Sequence, residues 1–167
     1  MSQTTNAPIK NTRQLERFCR ERGIPLTCQR RTVFESIVDR RDHPTVDQVY
    51  DQVRGRLAGV SRMTVYRALD WLADLGVVIK VGHPGSVIRF DPTTERHHHL
   101  VCVRCNRLAD LECPGFDDLE LPAARPHGFL VDDYSVLFRG VCAECRRAAD
   151  SHFPAEDKET GRQQDTN

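Results

Sequence analysis

Two Cys-x-x-Cys pairs, Cys102-Val-Arg-Cys105 and Cys142-Ala-Glu-Cys145, limit what the second half of this chain can be. Each spacing sets two thiols on one side of a tight turn, and two such pairs complete the tetrahedral all-sulfur shell that structural Zn(II) prefers. A redox pair of the thioredoxin kind opens a helix within a strand-helix-strand unit, whereas each pair here follows a strand-like run, Leu100-Val101 and Phe138–Val141. A disulfide framework fits less well, because the seven cysteines are odd in number and Met1–Lys10 is polar, without the character of an export signal. Of the remaining three, Cys19 falls on an apolar helix stripe, where packing is its default role. Cys28 and Cys113 lie near element boundaries, with nothing beside them to lower a thiol pKa.

At 167 residues the chain suits one ordinary domain or two small lobes sharing a hinge. No apolar run approaches the roughly 20 residues needed to cross a bilayer. The expectation is a cytoplasmic protein with no membrane partner. The formal net charge of zero conceals a division: residues 1–90 hold 15 Lys/Arg against 9 Asp/Glu, and residues 91–167 hold 9 against 15. A first half at +6 beside a second at −6 suits an anionic partner for the first half; scattered solvated charge is the plainer alternative. Residues 1–11 and 151–167 are polar and are expected to be a flexible amino terminus and a disordered tail.

Between those ends the first half is helical. Leu15, Phe18 and Cys19 mark a helix over 12–22, stopped at Gly23-Ile24-Pro25. Thr27 caps a second helix with Val33, Phe34, Ile37 and Val38 on one stripe. Thr45 and Gln48 have capping-box spacing ahead of a third, which buries Val46, Val49, Tyr50, Val53 and Leu57. Ser61 caps a fourth with Val65, Leu69 and Leu72 inward, and Gly76 ends it. Val77–Val81 and Val87–Phe90 then read as a hairpin turning through Gly82-His83-Pro84-Gly85.

Helix, tight turn, helix and wing is the arrangement that lays a second helix in a DNA major groove. Many small helical domains share it without touching nucleic acid. Arg62, Thr64, Tyr66 and Arg67 lie off the apolar stripe of the fourth helix, offering cations for phosphate or guanine and a ring for a base methyl. A solvated arginine face and a half-buried packing ring are the plainer reading.

Beside the first cysteine pair stands His97-His98-His99, with Asp91 before it and Asp110 after it. In an extended strand His97 and His99 project to one face and His98 to the other, so two imidazoles reach one metal and the two carboxylates add oxygens. That mixed N/O set favours Fe(II), Mn(II) or Zn(II) over soft metals. Three adjacent histidines fit a surface tract equally well.

Taken together, Leu26-Thr27-x-Gln29-Arg30, His43-Pro44-Thr45, Ser61-x-x-Thr64-Val65-Tyr66-Arg67-x-Leu69, Arg89-Phe90-Asp91, His97-x-His99-Leu100-x-Cys102-x-x-Cys105, Gly128-Phe129 and Gly140-x-Cys142-x-x-Cys145 resemble the ferric uptake regulator family of bacterial metalloregulators, from about Thr12 to Arg147. The resemblance implies an α+β fold: a winged helix-turn-helix DNA-binding domain over 12–90, then a small α/β dimerisation domain over 91–150 with a four-cysteine zinc site. It implies a homodimer, a double-stranded DNA operator, structural Zn(II) on Cys102, Cys105, Cys142 and Cys145, and a transcriptional repressor rather than an enzyme. It also implies a regulatory Fe(II) or Mn(II) site of His43, Asp91, His97, His99 and Asp110, adding His43, which by itself reads as a loop residue.

Aspartates at Asp91 and Asp110 look like the peroxide-sensing branch, in which His43 or His97 would be oxidised. Iron sensors tend to use glutamate at such positions, and zinc sensors often include a cysteine; iron- or zinc-responsive regulation is the alternative. Cys28 stands where the family commonly has proline and Asn106 where glycine usually follows the second knuckle cysteine. Members with a further metal site use an acidic residue and histidines where this chain has His98, Arg96 and Tyr134, so that site is not expected here. Two other classes compete. A metallohydrolase would activate water on the same ligands, but no general base is evident; a zinc module for protein contacts would lack salt-sensitive duplex binding.

Overall fold

The computed structural model describes residues 8–82, 87–116, 119, 128–129, 131 and 134–150. Helix α1 (Thr12–Glu21) starts at Asn11, whose side chain accepts from the Gln14 amide, and it buries Leu15, Phe18 and Cys19. It stops one residue short of the expected Arg22, and Gly23 takes the left-handed conformation that turns the chain. Helix α2 (Cys28–Glu35) is capped by Thr27. Ile37 and Val38 fall in the turn after it, yet Ile37 is fully buried, so the apolar stripe outlasts the helix. In α3 (Val46–Val53) both halves of the Thr45/Gln48 capping box are made, a feature worth about 1 kcal/mol. Val49 and Val53 are fully buried, whereas Leu57 lies beyond the helix and packs at the margin with Val46 and Tyr50.

Helix α4 (Arg62–Asp74) opens at Ser61, and Gly76 beyond its end is left-handed. Val65, Leu69 and Leu72 meet Val33, Phe34 and Ile37 in the main core. Strands β1 (Ile79–Val81) and β2 (Arg89–Asp91) pair antiparallel, Ile79 opposite Asp91 and Val81 opposite Arg89. The ladder is shorter than the expected 77–81 and 87–90 runs because Val77 and Val78 are drawn into the helical core. His83, Pro84 and Gly85 of the expected turn lie outside the described residues, as does the expected tail from Ser151.

The second half is built on β3 (His98–Cys102), flanked by β4 (Leu108–Leu111) antiparallel and β5 (Leu137–Gly140) parallel, in the order β4-β3-β5. A short 3₁₀ turn (Pro114–Phe116) follows β4, and α5 (Ala143–Asp150) follows β5. Its small core of Val101, Leu108 and Leu137 includes Val81 from the hairpin, so the wing is packed onto this sheet. The hairpin also holds the segment before α3: the Phe90 amide donates to the Pro44 carbonyl at 3.0 Å, and Arg89 bridges Thr45. That stitching anchors Pro44 and Thr45, the residues just after His43.

Candidate metal centre

Parallel pairing sets Cys102 at the end of β3 beside Gly140 at the end of β5, so Cys142 arrives next to the first pair. The four sulfurs of Cys102, Cys105, Cys142 and Cys145 lie within 4.8 Å of one another. Cys105 Sγ and Cys142 Sγ are 3.8 Å apart, and the Cys142 amide donates to Cys102 Sγ at 3.4 Å. Backbone amides, first that of Cys142 and then that of Cys105, bring the Cys102 thiol down to about 6, while neighbouring sulfurs, first Cys142 and then Cys105, push Cys145 up to about 12. This is one thiolate stabilised among competing thiols, the electrostatics of a shell that wants a cation. One part of the sequence argument needs correcting: the second pair does open a helix, α5, directly after a strand. What sets the pairs apart from a redox motif is their convergence, not their distance from a helix start.

Toward the other end of β3, a second cluster draws on four parts of the chain. His43 precedes α3, Asp91 ends β2, His97 leads into β3, His99 lies within it, and Asp110 stands opposite His99 on β4. One ligand atom from each of the five falls within 4.8 Å of the others. Asp91 Oδ2 is 2.7 Å from His97 Nε2, 3.2 Å from His99 Nε2 and 3.3 Å from His43 Nε2; Asp110 Oδ1 is 2.7 Å from His43 Nε2. Burial alone would keep Asp91 neutral, but its imidazole contacts with His43, His97 and His99 and the Thr93 amide outweigh it and hold the carboxyl far below the usual carboxylate range. In return Asp91 raises His97 to about 9.

Hydrogen bonding alone does not account for this packing. His43 Nε2 is fully buried and close to two carboxylates, yet neither approach has hydrogen-bond geometry. His97 Nε2 and His99 Nε2 face each other at 3.0 Å, both near Asp91 Oδ2. Lone pairs aimed at a common point satisfy one cation, and the nitrogen-oxygen donor set fits Fe(II), Mn(II) or Zn(II). His43 also has φ +49, a conformation costing a non-glycine residue on the order of 1–3 kcal/mol. A histidine before proline gives no hint of this, and only the family resemblance singled it out.

His98, as expected from strand alternation, points the other way and is fully buried. Its ring stacks near Tyr134 at 6.5 Å and meets Phe116 edge-on, while the Arg96 guanidinium lies 4.7 Å over Tyr134. No third group of metal ligands forms among the described residues there. An aromatic box occupies that ground, and sequence reading missed Phe116 and Tyr134 as its walls.

On α4, Arg62, Tyr66 and Arg67 are exposed. Arg62 pairs with Asp47 at 2.7 Å and lies 5.0 Å over the Tyr50 ring, and the Thr64 hydroxyl is tied to Ser61 at 2.9 Å. Lys80 of the wing pairs with Asp70, bracing the hairpin against the helix.

Known proteins resemble this chain in sequence and in fold. The peroxide operon regulator of Bacillus subtilis (strain 168) is 34% identical over 128 residues, covering 77% of this chain and 88% of its own. The structure of the Helicobacter pylori ferric uptake regulator superposes with a TM-score of 0.68 at 16% identity, over 84% of this chain and 97% of that one. A zinc uptake regulator complexed with zinc and DNA superposes with a TM-score of 0.61 at 25% identity, over 83% and 94%. The sequence profile of the Ferric uptake regulator family matches residues 21–139. With the fold, the four-cysteine cluster and this match in agreement, the chain belongs to the ferric uptake regulator family.

Proposed function

We propose that this metalloregulator is a peroxide-responsive repressor that binds operator DNA as a homodimer. Zn(II) on Cys102, Cys105, Cys142 and Cys145 orders the dimerisation half over 91–150, and Fe(II) or Mn(II) on His43, Asp91, His97, His99 and Asp110 sets how that half sits against the winged-helix half over 12–90. The carrying observation is the convergence of five nitrogen and oxygen ligands from before α3, β2, β3 and β4 within 4.8 Å. His43 comes from the helical half and His97, His99 and Asp110 from the other, so filling the site favours one arrangement of the two. By linkage DNA then tightens the metal as much as the metal tightens DNA. In a dimer that arrangement spaces two α4 helices by about one DNA turn or a multiple, presenting Arg62, Thr64, Tyr66 and Arg67. Similarity to the B. subtilis peroxide operon regulator supports the peroxide reading, and likeness to a zinc uptake regulator complexed with DNA supports duplex binding.

Fe(II) held by His43, Asp91, His97, His99 and Asp110 would supply the electrons that reduce peroxide, whereas Mn(II) on the same residues would supply charge and geometry alone. By the family resemblance, His43 or His97 is the side chain that takes the oxygen, and oxidation of either would remove a ligand from the hinge. In the test, iron-loaded and manganese-loaded proteins are treated with peroxide, and peptide masses and operator affinity are followed. Oxygen addition on His43 or His97 with loss of operator binding in the iron form alone is the expected result. Unchanged mass and affinity in the iron form would overturn peroxide sensing and favour iron or zinc response.

A further inference from the structure

Among the described residues, His43 (φ +49) and Asn106 (φ +56) are the non-glycine positions in the left-handed region. One side chain holds the carbonyls of both. Arg89 Nη1 donates to the His43 carbonyl at 2.9 Å, and Arg89 Nε donates to the Asn106 carbonyl at 3.1 Å. Asn106 directly follows Cys105, and its amide closes the first cysteine turn by donating to the Cys102 carbonyl at 2.9 Å. His43 is a ligand of the other cluster. A fork of rigidly spaced donors therefore spans from the backbone of one cluster to the backbone of the other.

We infer that Arg89 is a positioning residue that couples the two clusters, holding His43 in its left-handed conformation by fastening its carbonyl to the four-cysteine turn. Extended backbone at His43 would swing the imidazole away from Asp91 and Asp110, because a change in φ rotates the side chain about the chain direction. The neighbouring backbone bonds, Phe90 amide to Pro44 carbonyl and the Thr45–Arg89 bridge, fix the strand but not the His43 peptide itself. Arg89 lies two residues before Asp91 in β2 and on the same face, so the strand that delivers a carboxylate also delivers the clamp. A lysine at this position offers one flexible ammonium in place of a rigid fork, so it does not hold the two carbonyls at a fixed spacing.

This inference rests on the reading that the His/Asp cluster holds a cation. That reading is checked first, in the full zinc-loaded chain: Mn(II) binding that is absent, or unaffected by His97→Ala, would count against the cluster and not against Arg89. With binding established, Arg89→Lys and Arg89→Gln are compared with the parent and with His43→Ala for zinc content, Mn(II) affinity and the ligand-field spectrum of Co(II) added to the second site. The expected result is one zinc per chain in both Arg89 variants, Mn(II) affinity lower by about 10–100-fold, and a Co(II) spectrum that moves to match His43→Ala. Affinity within twofold of the parent overturns the inference, as does a fall in affinity with the parental spectrum. Should Arg89→Gln lose its zinc, Arg89→Lys decides; zinc loss from both also overturns the proposal, since Arg89 would then serve the cysteine turn alone.

Discussion

The two clusters differ in how they are encoded. Four cysteines come from one short turn and the start of α5, each pair specified by its own spacing, and one parallel strand pair brings the two pairs together. Five nitrogen and oxygen ligands come from segments as distant as His43 and Asp110, and no local spacing relates the first to the last. The thiols sit at the end of a small sheet whose core is a handful of residues, whereas His43 and Asp91 are almost wholly buried. A cluster written locally needs a single strand pairing to form, while one written across the fold forms only when several separate segments are in place.

Substitutions at the two clusters should therefore fail differently. Cys102→Ser should abolish zinc retention and unfold the strand half, because structural zinc supplies apparent folding energies of about 10–16 kcal/mol; zinc content and circular dichroism measure this, and a folded, zinc-free variant would erase the distinction. His97→Ala should leave zinc content and fold intact while lowering Mn(II) affinity by more than about 100-fold, beyond the loss seen when a group merely supporting a ligand is removed. Calorimetric titration separates the two outcomes, and unfolding here would make both clusters structural.

A smaller effect concerns pH. His97 is raised to about 9 from an ordinary 6.5 by Asp91, so its contribution to the stability of the metal-free chain is full below about 6.5 and disappears as pH rises through about 9. Melting curves of the chain loaded with structural zinc alone, its second site left empty, should show a fall of a few degrees over that window in the parent and less in His97→Gln. The smallest expected change is at Asn106→Gly: its φ of +56 suits glycine, so thermal stability should move by no more than about 1 kcal/mol in either direction. A larger loss would mean that the Asn106 side chain itself supports the cysteine turn.

Much of the helical half was legible because its signals are local. Thr27, Thr45 and Ser61 each stand one residue before a helix and bond its first free amides, whereas Asn11, expected in a flexible amino terminus, caps α1 in the same way. Strand alternation likewise separated His97 and His99 from His98. Strand length was less legible: Val77 and Val78 have strand-like side chains, but burial against α4 wins over pairing. The burial of His43, the clamp at Arg89 and the box formed by Phe116 and Tyr134 depend on contacts between residues far apart in sequence, and no window along the chain contains them. Asp110 was marked for its nearness to the histidines; its pairing opposite His99 supplies the physical reason.

Solvent reaches the five-ligand cluster unevenly. The side chains of His43 and Asp91 are 1% and 2% exposed, whereas that of Asp110 is 32% exposed. Of the five side chains the β4 carboxylate is thus the one most open to solvent, so water, ions and small solutes are expected to reach the cluster past Asp110. A bulky chelator waiting outside captures only what has already left, so the rate at which it strips the protein should not depend on how much chelator is present.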